Sequence, residues 1–141
     1  MATEINGIPV PEGTDTLSAE AIQAMVTALT EYPKSGSDTN GNWIQYADGT
    51  MECYLVEAVE NFTLSYEYGT ASMGFNYYEW TYPKPFISVP HVAVGRAQIG
   101  SGGQWGSTRQ NTNTKAQAVV WGTLGNTGSL RITLHATGRW K

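Results

Sequence analysis

Along most of the chain, apolar residues recur at every second position. Leu130, Ile132, Leu134 and Ala136 alternate with Arg131, Thr133 and His135, and Phe62, Leu64, Tyr66 and Tyr68 alternate with Thr63, Ser65 and Glu67. A period of two is the period of a strand with one wet face. Shorter runs around Val92 and Val94, around Ala118 and Val120, and an aromatic run over residues 76–82 read the same way, the last stopped by Pro83 and Pro85. Residues 17–31 break this rhythm. Ile22, Met25, Val26 and Leu29 fall on one stripe at helical spacing, with Thr16 or Ser18 available as N-cap, Glu20 near the positive end of the dipole and Pro33 as a stop. A helix this short is marginal alone in water, so its stripe needs a partner: the domain's own sheet or the same helix in neighbouring chains. The turn-rich first sixteen residues read as an extended leader, and PKSGSDTNGN as a linker. Six or more short strands without an internal repeat predict an antiparallel β-sandwich preceded by one short N-terminal helix. The expected division is a leader, helix and linker over residues 1–39 and a sandwich over residues 40–141.

The stretch NGNWIQYADGTMECY predicts a hairpin closed by a two-residue Asp48-Gly49 turn. That register opposes Tyr46 to Met51, Ile44 to Cys53 and Trp43 to Tyr54. Ile44, Tyr46, Met51 and Cys53 then line the core face, and Trp43, Gln45, Glu52 and Tyr54 the other. Two aromatics facing each other away from the core form either a gripping surface or a contact with another chain.

Composition narrows the function. Charged residues are 14% and hydrophobic ones 40%, with sixteen glycines, a balance suited to strands and tight turns. A net charge of −4 argues against nucleic acid as the main partner. All twelve carboxylates lie at or before Glu79, while seven Lys or Arg and no acid follow Trp80. The simpler expectation is that strands of both halves intermix and their charges pair. The sharper one is a basic face turned to an anionic surface. The single cysteine, Cys53, excludes an internal disulfide, and with His91 and His135 it is too small a set for a four-ligand zinc site. No metal or other cofactor is expected. Neither a signal peptide nor a membrane-spanning run is expected either, which points to a soluble chain made in a cytosol.

No nucleophile elbow, phosphate loop or zinc-helix motif is present, and GSGG at residues 100–103 opens no helix. Glu52, Glu67 and Glu79 are the carboxylates available for glycan cleavage, but no spacing forces them together; no enzymatic activity is expected. Binding chemistry is better represented, since Tyr and Trp present flat apolar faces with polar edges. Trp105, with Gln104, Arg109 and Gln110 on a Gly/Ser-rich loop, is the candidate ligand group; the alternative is a Trp folded over the core or into a neighbouring chain. Tyr77, Tyr78 and Trp80 are expected to pack in the core.

Three segments resemble the C-terminal domain of bacteriophage tail fibres. NGNWI followed by ADGT and Cys53-Tyr54 is similar to the family's opening "NGxWIxFxDGTxIxW", TYPKPF with VPHV resembles "YPxPFxxxPxV", and ATGRWK resembles the terminal "AxGRWK". The resemblance spans residues 40–141. It implies a homotrimeric, H-type-lectin-like β-sandwich at a fibre tip in the virion, recognising a bacterial surface glycan or protein during host adsorption. It further implies docking to other tail or baseplate proteins through the leader, with neither nucleic acid nor membrane insertion involved. In that frame Trp43 and Tyr54, with Ile22, Met25 and Leu29 of the helix, are the expected protomer interface. The alternatives are a purely structural trimerisation cap or tail plug, and a glycan depolymerase.

Overall fold

The structure, a computed structural model, describes residues 3–5, 8–10, 18–69 and 72–141. Two short strands, β1 (Thr3–Ile5) and β2 (Ile8–Val10), pair antiparallel ahead of the helix α1 (Ala19–Glu31). Ser18 caps α1, its hydroxyl accepting from the Ala21 N–H at 3.1 Å; Thr16 and Leu17 lie outside the described residues. None of the helix residues is buried, and Ile22, Val26 and Leu29 are exposed.

The rest is a two-layer sandwich, as the alternating pattern predicts. One sheet has the order β3 (Lys34–Asp38), β4 (Gly41–Gln45), β5 (Thr50–Thr63), β11 (Thr127–Arg139), β8 (His91–Ile99). The other has the order β6 (Tyr66–Tyr68), β7 (Met73–Thr81), β10 (Lys115–Thr123), β9 (Trp105–Arg109). The described pairings are all antiparallel. The five-stranded sheet sends Met51, Cys53, Leu55, Leu130, Ile132, Leu134 and Ala136 inward. The four-stranded sheet answers with large rings beside small residues: Trp80 lies opposite Ala116 and Tyr78 opposite Ala118. Alternating large and small side chains across a ladder lets the two layers interdigitate at the density of a solid. Trp80, Tyr82 and Phe86 continue edge to face, with centroids 5.1 and 5.2 Å apart.

Four local expectations are corrected. First, PKSGSDTNGN is not a free linker: its first half is strand β3, paired with β4, so the sandwich begins at Lys34. Second, the hairpin closes through three residues, not two. The Gly49 N–H donates to Tyr46 O at 3.1 Å across Ala47 and Asp48, and Gly49, at φ +95°, adds one left-handed residue before Tyr46 and Thr50 pair. The register therefore slips by one, to Gln45–Met51, Ile44–Glu52, Trp43–Cys53 and Asn42–Tyr54, and a slip of one exchanges the faces. Trp43 and Gln45 join Met51 and Cys53 on the inner side, while Tyr54 stays outside. Third, the alternation from Phe62 to Tyr68 is not one strand. The chain crosses between sheets at Leu64 and Ser65, so Phe62 and Leu64 are buried while Tyr66 and Tyr68 are exposed. Fourth, residues 100–113 are not a continuous loop, because β9 lies within them and pairs with β10.

Candidate functional site

An antiparallel sheet with one face on the core ordinarily turns polar residues outward. The four-stranded sheet does not. Its outer face carries Tyr66 and Tyr68 from β6, Phe75 and Tyr77 from β7, Trp121 from β10 and Trp105 from β9, positions fixed by the pairings Tyr66–Phe75, Phe75–Trp121 and Trp121–Trp105. The first five rings form one connected group. Centroids are 5.4 Å apart for Tyr66–Phe75, 5.5 Å for Phe75–Tyr77, 4.9 Å for Phe75–Trp121 and 5.3 Å for Tyr68–Trp121. Tyr66, Tyr68 and Trp105 each leave about half of their surface in solvent, at 51%, 58% and 51%. A contiguous exposed apolar patch of this kind is a candidate interaction surface. Its rim is polar: the Arg109 guanidinium lies 4.7 Å from the Tyr77 centroid and donates through Nη1 to the Tyr77 hydroxyl at 3.1 Å. Lys115 pairs with Glu79 at 3.4 Å, and between them and Arg109 the buried Oε1 of Gln117 has no hydrogen-bond partner among the described residues.

Of the four residues singled out from sequence as ligand-binding, Trp105 and Arg109 share this face, on the edge strand β9 and not on a loop. Gln110 follows that strand, exposed, in a left-handed conformation (φ 49°). Gln104 is turned back into the fold, its Oε1 accepting from the Ile99 N–H at 2.8 Å. Tyr78 and Trp80 pack in the core as expected, whereas Tyr77 faces out. The sequence reading missed Trp121 and the outward Tyr66, Tyr68 and Phe75. Their period of two was visible, but which phase faced solvent was not.

The outer face of the five-stranded sheet is different in kind. Tyr46 donates to Glu52 Oε2 at 3.1 Å, and His135 Nε2 lies 3.4 Å from Glu52 Oε1. The bond to Glu52, and then that carboxylate's charge, raise the Tyr46 hydroxyl above its ordinary pKa. Tyr54 and Val56 are exposed beside this cluster. Trp43 is half-buried on the inner side, under Lys84 Nζ at 4.5 Å and against Gly36, where a Cβ would sit 2.7 Å from its ring. The expected Trp43–Tyr54 patch therefore does not exist, and Ile22, Met25 and Leu29 stand on α1.

The three carboxylates considered for cleavage do not converge. Glu52 and Glu79 lie on the outer faces of opposite sheets. Glu67 sits opposite Gly74, five residues along β7 from Glu79, roughly 16 Å at strand rise and beyond a catalytic pair's span. No group of three His, Cys, Asp or Glu among the described residues is placed to hold a metal ion. Cys53 is buried, and burial pushes its thiol up to about 11, which makes it unreactive.

The segments that carry the tail-fibre resemblance meet at one end of the sandwich. Trp140 donates through Nε1 to Tyr46 O at 2.8 Å and through its backbone N–H to Gly49 O at 2.9 Å, clamping the hairpin turn. Bonds from Thr50 hold the Asp48 carboxyl below its usual range, with Arg139 and Lys141 adding to the shift. Gly138 leaves room for Phe86 and Pro90, since a Cβ there would lie 2.9 and 3.0 Å from them. These residues form a structural clasp and take no part in the aromatic face.

No protein-family model and no curated protein matches the sequence. Solved structures do match in fold. The chain superposes on the P. aeruginosa R1 pyocin fibre with a TM-score of 0.58 at 17% identity, covering 87% of this chain and 32% of that one, so it spans about a third of that fibre fragment. An N-truncated R1-type pyocin tail fibre matches with a TM-score of 0.59 at 17% identity over 87% of this chain and 98% of that one. The tail-fibre resemblance read from the three motifs is thus borne out at the level of fold.

Proposed function

We propose that this chain is the tip domain of a phage-type tail fibre, a virion component that recognises a glycan on the bacterial surface through the aromatic face of its four-stranded sheet. The observation that carries the reading is the connected, half-exposed ring group with Trp105 and Arg109 at its edge, on a fold shared with pyocin tail fibres. Tyr and Trp rings stack on the apolar faces of sugars while their hydroxyl and indole N–H groups bond at the edges. The role is recognition without chemistry, because the carboxylates are spread over both faces of the sandwich.

The active form is a homotrimer. Tyr54 and Val56 on the opposite face, and Ile22 and Leu29 on α1, are apolar groups uncovered in the single chain and available to neighbouring protomers. Three copies holding three aromatic faces to one cell multiply a weak single-site affinity. The region ahead of the sandwich joins the tip to other tail proteins.

Labelled full-length chain should bind intact cells of some strains in a panel of Gram-negative bacteria. Trp105→Ala with Tyr68→Ala should weaken that binding by roughly 100-fold at an unchanged melting temperature. Binding undiminished by the double substitution refutes the aromatic face as the recognition surface. Failure of the parent chain to bind any strain, with particle assembly still depending on it, leaves the structural cap in its place. Light scattering should return three times the chain mass, falling to one with Val56→Arg and Leu29→Arg.

A further inference from the structure

The one-sided distribution of charge in the sequence survives in space. In the sheet orders given above, β11 and β8 occupy one end of the five-stranded sheet, and β10 and β9 one end of the four-stranded sheet. All four strands come from the part of the chain after Trp80, which contains no acid. Among the described residues, acidic side chains of the first half meet basic ones of the second along the seams, as Glu52 with His135 between β5 and β11 and Glu79 with Lys115 between β7 and β10. At the outer edge, β8 and β9 stack on each other with no carboxylate-bearing strand beside either. Thr108 Oγ1 reaches Val92 O at 3.5 Å, and a Cβ on Gly106 would lie 2.7 Å from Val94 Cγ1. The simple expectation of paired charges holds at the seams and fails at this edge.

The edge is grooved. A cavity of about 420 Å³ runs between the two strands, with Arg96 and Gln98 on one side and Gln104 and Trp105 on the other. Gly95, Gly102 and Gly106 keep its walls low. Arg96 is exposed and forms no ion pair among the described residues. Its Nε and Nη2 both donate to Gln98 Oε1, at 3.2 and 2.7 Å, which holds the guanidinium plane while leaving Nη1 free. Across the groove, Gln104 spends its oxygen on the Ile99 N–H, so its amide nitrogen remains as a donor. Trp105, half exposed at the edge of the aromatic face, also lines the cavity. An oriented guanidinium, an amide donor and an indole, with no acid among the described residues that line the cavity, are complementary to a pyranose ring bearing an oxyanion.

We infer that the β8–β9 groove is a subsite for an acidic saccharide unit, with Arg96 binding its carboxylate or phosphate and Trp105 stacking on its ring. This rests on the glycan-recognition reading above and names the class of sugar. The aromatic face and the groove share Trp105, so a chain of sugars lying across the face places one unit at the edge.

The test uses the full-length chain and three oligosaccharides of equal length: tetragalacturonate, a mannose tetramer ending in a 6-phosphate, and neutral maltotetraose, each titrated by tryptophan fluorescence. At least one charged probe should bind roughly ten-fold or more tightly than the neutral one, with affinity falling as salt rises. Whichever charged probe binds identifies the anion as carboxylate or phosphate. Arg96→Gln should bring that probe down to the neutral level without shifting the melting temperature, and Trp105→Phe should weaken it only partly. Equal binding of all three probes, no binding of any, or a preference that survives Arg96→Gln overturns the inference. Cell binding weakened by Trp105→Ala and Tyr68→Ala but untouched by Arg96→Gln removes the anion subsite and leaves glycan recognition standing. Cell binding untouched by either removes both.

Discussion

The two outer faces of this sandwich are built on the same ladder geometry and are opposite in chemistry. On the five-stranded side, ring and charge are dispersed: a Tyr46–Glu52–His135 chain of polar contacts, with Tyr54 and Val56 as separate exposed groups. On the four-stranded side five rings touch in sequence from Tyr66 to Trp121, and Trp105 extends them to the sheet edge. Strand alternation alone favours the first arrangement, because exposed rings gain nothing from solvent. The second is an exception that the fold does not require, and exceptions to patterning are where function is found. The lesson is that an aromatic count says little until the phase of each strand is known.

Several substitutions break or sharpen this contrast. The largest effect belongs to the core under both faces. Trp80 is 2% exposed and donates to Asn40 O at 2.7 Å, so Trp80→Ala should cost about 4 kcal/mol in urea unfolding and lose both faces together. Next is binding itself: Trp105→Ala with Tyr68→Ala should weaken cell attachment by roughly 100-fold, about 2.7 kcal/mol, while Glu52→Gln with His135→Ala on the other face leaves attachment unchanged. Equal losses from both faces would erase the distinction. Stability separates them as well. Phe75 touches three rings, and Phe75→Ala should cost about 2 kcal/mol, whereas Val56→Ala should stay within about 0.5 kcal/mol.

The smallest effect concerns Cys53, which lies beneath the five-stranded face. Its folded-state pKa of about 11 is above the ordinary 9.0, so its contribution to stability is complete below pH 9 and declines as the pH rises toward 11, where only the unfolded thiol ionises readily. Cys53→Ala should flatten that part of the stability profile. In the parent chain the thiol should react with a disulfide reagent only at the rate of unfolding.

Much of the architecture was legible. Period-two alternation marks β11, the helical stripe after Thr16 or Ser18 marks α1, where Ser18 proves to be the cap, and the core placement expected of Tyr78 and Trp80 holds. The tail-fibre resemblance was legible because its motifs are the residues of the clasp, where Trp140 closes on Gly49 and Gly138 gives way to Phe86. The same fact explains why it named no ligand residue. The candidate site was legible only in part: Trp105 and Arg109 were picked out, but as loop residues, and Trp121 was not.

What the chain determines by itself is local: which segments alternate, where proline and glycine interrupt them, and that acid and base are separated along its length. Those follow from steric preference and side-chain polarity at each residue. Only the tertiary structure decided which phase of each strand faces water. One left-handed Gly49 moved Trp43 inward, and a crossing at Leu64 and Ser65 turned Tyr66 and Tyr68 outward. It also decided that the acid-free strands gather at one edge, because strand order is a property of how sheets close over a shared core. A period of two has two equivalent phases, and the choice between them is made by contacts distant in sequence.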